Sequence, residues 1–244
     1  MKKIFIAAML LTTFAMAKAQ DTTKPKKIWQ KIDLSNRAND HFMLQYGYDS
    51  WGSVPDSINT SGFSRHFNVY VMLDKPFKTN PHFSVGFGLG IGSSNIFFQN
   101  TYIDLKSRTT TLPFRDVSAE NHFKKYKLNT TFLELPLEFR YVSNPVTPDK
   151  GFKAAVGAKV GTLLSAHTKG KNLVDKNGST VYDSKYIAKE NDKKFINSTR
   201  LALTGRIGYG NFSIDASYQL TNFLKENVGP EIKPYSIGIT LSGL

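Results

Sequence analysis

The chain has 244 residues, 32 of them lysine or arginine against 19 aspartate or glutamate, for a formal charge of +13, and it contains no cysteine. Without thiols there is no disulfide framework, thiolate metal site, thiol nucleophile or acylated lipoprotein cysteine. A basic surplus of this size would suit nucleic acid in an intracellular protein.

The first twenty residues redirect that reading. Met1-Lys2-Lys3 is followed by an apolar run from Ile4 to Met16, broken only by Thr12 and Thr13, and then by Ala17-Lys18-Ala19 before Gln20. These are the three parts of a secretory signal peptide, with cleavage expected after Ala19. The apolar run is shorter than the roughly 20 residues a membrane-spanning helix needs. Loss of Lys2, Lys3 and Lys18 trims the charge, and anionic lipid head groups become the natural counterpart of the surplus that remains. Residues 20–40 read as a polar periplasmic lead segment whose Ile28, Trp29, Ile32 and Leu34 could dock on the rest of the chain or on a partner. Residues 41–244 read as one domain.

No apolar stretch after Gln20 approaches twenty residues, so a membrane crossing has to be made by strands closed into a barrel, where every backbone group finds a partner. In chain order the apolar faces of such strands are Phe42, Leu44, Tyr46 and Tyr48; Phe63, Phe67, Val69, Val71 and Leu73; then Phe83, Val85, Phe87, Leu89 and Ile91. Leu133, Leu135, Leu137, Phe139 and Tyr141 follow, alternating with Glu134, Glu138 and Arg140, and then Phe152, Ala154, Val156, Ala158 and Val160. The last three strands carry Leu201, Leu203, Ile207 and Tyr209 against Arg200, Thr204 and Arg206; Phe212, Ile214, Ala216, Tyr218 and Leu220; and Tyr235, Ile237, Ile239 and Leu241. Eight strands of period two match a single-chain membrane barrel.

A soluble sandwich or lipocalin-like barrel would alternate too. The connections separate the two readings. Those at 50–62, 98–125, 168–198 and 221–233 are long, whereas those at 74–80, 142–150 and 210–211 are shorter, the parity of a barrel with short periplasmic turns and long extracellular loops. Tyr141, Phe152, Tyr209, Phe212 and Phe83 gather at the short-turn ends and Tyr46, Tyr48, Phe63, Tyr218 and Tyr235 near the long-loop ends, as two interfacial belts would require. The expected fold is an eight-stranded antiparallel up-and-down transmembrane β-barrel. Gly86, Gly88, Gly90 and Gly92 clear one wall of its lumen for large polar groups from other strands, and Gly210-Asn211 should close a hairpin that sets Arg206 opposite Asp215 as a charge-assisted pair.

The segments Phe132-Leu133-Glu134-Leu135-Pro136-Leu137-Glu138-Phe139-Arg140-Tyr141, Gly151-Phe152-Lys153-Ala154-Ala155-Val156-Gly157-Ala158-Lys159-Val160-Gly161 and Tyr235-Ser236-Ile237-Gly238-Ile239 together resemble the PorT-like family of outer-membrane β-barrels, related in architecture to small OmpA/OmpX-type barrels. The resemblance covers most of residues 41–244 and implies an outer-membrane location. Some members are linked to protein secretion across that membrane, a role that a shared fold does not transfer.

The face opposite the lipid carries Glu134, Glu138 and Asp215 against Arg140, Lys153, Lys159, Arg200 and Arg206, expected to form a lumen charge network because an unpaired charge out of water is costly. Pro136 on that face suggests a bulge or kink, since proline cannot donate to the ladder. Ser64 and His66 share a strand face, with Asp49 as a candidate orienting acid for a serine hydrolase. The lysines 169, 171, 176, 185, 189, 193 and 194 outnumber Asp175, Asp183, Glu190 and Asp192 in the 168–198 loop, which suits a solvated surface or contact with lipopolysaccharide phosphates. The expected function is that of a structural or interaction barrel, accessory to an outer-membrane secretion or assembly machine, with no catalysis and no cofactor. A narrow anion-conducting channel and a lipid-modifying barrel enzyme are the alternatives.

Overall fold

A computed structural model describes residues 42–55 and 58–243. The signal peptide and the 20–40 segment lie outside the described residues. The strands are β1 (Phe42–Gly52), β2 (Arg65–Pro76), β3 (Phe83–Phe98), β4 (Thr101–Ile103), β5 (Phe114–Asp116), β6 (His122–Val142), β7 (Phe152–Val174), β8 (Ile187–Asn191), β9 (Thr199–Tyr209), β10 (Phe212–Gln219) and β11 (Lys233–Ser242). Eight of them form a ring in the order β6-β3-β2-β1-β11-β10-β9-β7, closed by pairing of β6 with β7, and every pairing is antiparallel. The eight strands are those expected from the alternation.

Closure leaves the barrel wall without an edge, and the period of two sorts its side chains. Leu137, Phe139, Ile207, Ile214 and Ile239 are exposed on the outer wall, while Glu134, Glu138, Arg140 and Arg206 are buried inside it. At the short-turn end Phe83 lies against Phe139 and Tyr141, with ring centroids 5.5 and 5.3 Å away, and Tyr141 lies 6.4 Å from Phe152. At the other end Phe63 lies 6.5 Å from Tyr46 and 5.6 Å from Tyr48. Gly210 takes φ 62°, the positive value that a two-residue hairpin needs at its first position. The register that follows pairs Tyr209 with Phe212, Ile207 with Ile214, Arg206 with Asp215 and Thr204 with Ser217, as the alternation predicts.

Two expectations about the long loops and Pro136 need correction. The segments read as loops at 98–125 and 168–198 are partly strand: β6 begins at His122, β7 runs to Val174, and β4–β5 and β8 add further ladder. These extensions carry polar side chains on their outer face and so lack the apolar alternation that marks a strand in lipid. Pro136 makes no bulge. The β3–β6 ladder lapses beside it, between Phe87–Leu137 and Gly90–Glu134, with its register unchanged. The bulge lies higher, where Thr131 faces Ser165 but Phe132 faces Leu163, leaving Leu164 as the extra residue. It switches the inward parity of β7 from Lys159 and Leu163 to Ala166 and Thr168, so one long strand keeps both halves in phase with β6.

Candidate functional site

Inside the membrane-level half of the barrel the charges gather on two carboxylates, Glu134 and Glu138, held four residues apart on the inward face of β6. Glu134 is fully buried; it accepts hydrogen bonds from Arg200 Nη1 at 2.9 Å, Lys159 Nζ at 3.2 Å and the Tyr70 hydroxyl. Glu138 accepts from Arg140 Nε at 2.8 Å and from Arg206 Nη2 and Nε at 3.0 and 3.3 Å. Arg140 also reaches Asp74 at 3.5 Å, and Asp74 accepts from Ser84 at 2.6 Å. Glycines on β3 make the room. A Cβ at Gly92 would meet Glu134 Oε2 at 2.8 Å, and one at Gly86 would strike the Arg140 guanidinium. Lys153 is buried on the same inward face.

Above this polar storey the extended strands and loops enclose a second, apolar core. Ile103, Leu105, Phe195, Ile196, Leu224 and Ile232 are buried together with Phe98, Leu128 and Phe132. Arg200 lies over the Phe132 ring, 3.9 Å from its centroid, where the two storeys meet. In the cap the Tyr126 hydroxyl donates to the Ile103 carbonyl at 2.9 Å, and burial pushes that phenol up to about 12. The Tyr102 hydroxyl donates to Glu190 at 2.6 Å, and burial together with that carboxylate raises it further. Two cavities deep in the lumen are small, one of about 40 Å³, lined by Asp49, His66, Lys159, Arg200 and Gln219 among others, and one of about 20 Å³ beside Glu138 and Arg206. Such volumes hold about three water molecules and about one. A larger cavity of about 100 Å³ lies at the outer rim beside Trp51, Thr60 and Ser64.

The sequence of this chain matches the family model described as outer membrane protein beta-barrel domain over residues 33–225. The chain belongs to that family. It is an outer-membrane β-barrel protein, and the exposed apolar wall of the ring is its lipid face. No curated protein matches it. Among solved structures it is similar to Ail, the attachment invasion locus protein of Yersinia pestis, crystallised in complex with the heparin analogue sucrose octasulfate, at 10% identity and a TM-score of 0.29 over 84% of this chain and 97% of that one.

Within this outer-membrane barrel, the expected lumen set of Glu134, Glu138, Arg140, Lys153, Lys159, Arg200, Arg206 and Asp215 comes together in one interior, with one pairing different from that expected. Arg206 and Asp215 stand opposite in register but make no ion pair with each other. The arginine is long enough to pass over Ala155 on β7 to Glu138, while the short Asp215 takes the Thr240 hydroxyl at 2.7 Å. The alternation missed two acids. Asp74 continues the inward series His66, Asn68, Tyr70 and Met72 past Leu73, where the apolar face stops and the sequence alone predicts a turn. Asp49 lies one residue beyond the expected end of β1. With them, five inward carboxylates stand against five inward cations below the cap, among the described residues.

Of the serine–histidine reading, the orienting acid is in place, but no hydrogen bond joins Ser64 to His66 among the described residues. His66 Nδ1 lies 2.7 Å from Asp49 Oδ1, as expected of an orienting acid, but the other Asp49 oxygen accepts from Ser94. Ser64 Oγ accepts from the Phe97 backbone N–H at 3.0 Å. The cluster ties β1, β2 and β3 together at the boundary between the two storeys.

Because each residue of the opposed Arg206 and Asp215 has its own partner, their removals should be nearly independent. Asp215→Ala and Arg206→Ala combined are expected to depart from the sum of the two single losses by less than about 1 kcal/mol in urea unfolding, short of what a direct buried pair would give. A coupling energy above about 1 kcal/mol would restore the direct pair.

Proposed function

We propose that this outer-membrane barrel is a closed structural and interaction element that neither conducts nor catalyses, and that its extracellular cap is its working surface. The observation that carries this is the filled interior: Glu134 and Glu138 are each held by two cations, and the apolar core around Phe132 and Phe195 lies across the outer mouth. A selective anion pore would need cations facing a continuous water path. The balanced charges and water-sized cavities argue against one, and the His66–Asp49–Ser94 hydrogen bonds, which tie three strands together, favour a structural role for that cluster over a lipid hydrolase. The resemblance to PorT-like proteins favours an accessory role in outer-membrane secretion or assembly, and the lysines of the cap supply charge for anionic partners, lipopolysaccharide phosphates among them.

Reconstituted into a planar bilayer, the protein should give no steady single-channel current at neutral pH. A reproducible anion-selective conductance would overturn the closed-barrel reading and revive the channel.

A further inference from the structure

The β6–β7–β8 sheet above the membrane carries a pattern that packing does not explain. The register sets Lys127 opposite Lys169 and Lys169 opposite Lys189, so three ammonium groups stand in one row across three strands. The next row up again opposes like charges, Lys125 and Lys171. Directly opposed like charges destabilise a sheet by a few tenths of a kcal/mol to about one each. The outward positions of these strands, from Phe123 to Thr131, from Ser165 to Leu173 and from Ile187 to Asn191, hold no acidic side chain; Glu190 points the other way, to Tyr102. Lys127 spends one contact on the Asn95 amide oxygen at 2.7 Å.

A second observation marks the same spot. His167 lies in the row just below the lysines, between Asn129 and Asn191, and its Nδ1 is buried without a hydrogen-bond partner. Burial and the charges of Lys189, Lys127 and Lys169 all press its pKa down, so the lysines converge on one point. Arg65 and Lys127 flank the same Phe97 ring, 5.4 and 5.8 Å from its centroid.

Height above the membrane identifies the ligand. The outer wall turns from apolar to polar at the row Ser93–Thr131–Ser165, and Lys127 is four residues further along β6. At the tilt of a membrane barrel those residues climb about 10 Å, into the phosphate layer of the outer leaflet. We propose that this row is a binding site for the phosphate groups of an outer-leaflet glycolipid, with Lys127, Lys169 and Lys189 as the cationic contacts and Arg65 at its border. The inference rests on the cap being the working surface, and names what one flank of it holds.

The test is thermal unfolding of the full barrel in uncharged detergent, with and without diphosphoryl lipid A. Wild type should gain about 5 °C or more at a hundredfold excess over Kd, and the gain should shrink with salt. The Lys127→Gln/Lys169→Gln/Lys189→Gln variant should lose that gain while melting no lower than wild type without lipid, since its like charges are gone. If the triple variant does not fold, Lys169→Gln alone should weaken lipid A binding about fivefold. Dephosphorylated lipid A stabilising equally, inorganic phosphate or a soluble polyanion stabilising as well as lipid A, or an undiminished shift in the variants would each overturn the proposal. Conductance of the same preparation reads the closed lumen separately, so either idea can fail alone.

Discussion

Glu134→Ala is expected to cost the barrel about 3 to 5 kcal/mol, the usual consequence of stripping a buried charge cluster of its counter-ion. Glu134 is completely buried, and three groups on three strands converge on it: Tyr70 from β2, Lys159 from β7 and Arg200 from β9. Alanine leaves Lys159 and Arg200 facing each other in a cavity that admits only a few waters. Arg200 keeps Gln219 at 3.1 Å and the Phe132 ring, whereas Lys159 keeps only the Tyr70 hydroxyl at 3.4 Å among the contacts described, so most of the penalty should fall on the lysine. Adding Lys159→Met to Glu134→Ala should therefore recover part of the loss. Urea unfolding in detergent micelles, followed by tryptophan fluorescence, measures both variants. A loss below about 1 kcal/mol for Glu134→Ala would mean that water reaches the site and that the lumen is not sealed.

Phe132→Ala should be comparably damaging, by about 3 to 5 kcal/mol, for a different reason. Phe132 is buried where the two storeys meet; its ring carries the Arg200 guanidinium below, and its backbone sits at the bulge opposite Leu163. Truncation removes apolar volume from the base of the cap core and the aromatic face from a cation, an interaction worth about 2 kcal/mol when desolvated. The cap should loosen before the membrane-level wall does, because the ladders below Leu133 do not depend on that ring. The signature is rapid proteolysis within residues 175–198 at a denaturant concentration that leaves the ring of strands intact. Cap and wall melting in one unchanged transition would show that the two storeys are not separable.

The sequence by itself determined the wall. Strict alternation in segments such as Phe212–Leu220 and Tyr235–Leu241, long and short connections in turn, and Gly210 at a two-residue turn sufficed for eight strands, their order and the register of β9 and β10. These features are legible because lipid on one side and a filled lumen on the other impose a local rule on every second residue. The same rule picked out the interior charges from Glu134 to Asp215. Their partners were decided by tertiary structure. Arg206 and Asp215 are neighbours in register, yet a guanidinium reaches across a strand and a carboxymethyl does not, so side-chain length and the small Ala155 between them assign Arg206 to Glu138. The cap was illegible for a related reason. Above the bilayer the outer wall faces water, apolar residues turn inward, and the bulge at Leu164 shifts β7 by one residue, so the pattern that announces a strand in lipid reverses its sense and its phase within a single strand. Only closure of the ring brings Phe195, Leu224 and Ile103, from three separate connections, into one core.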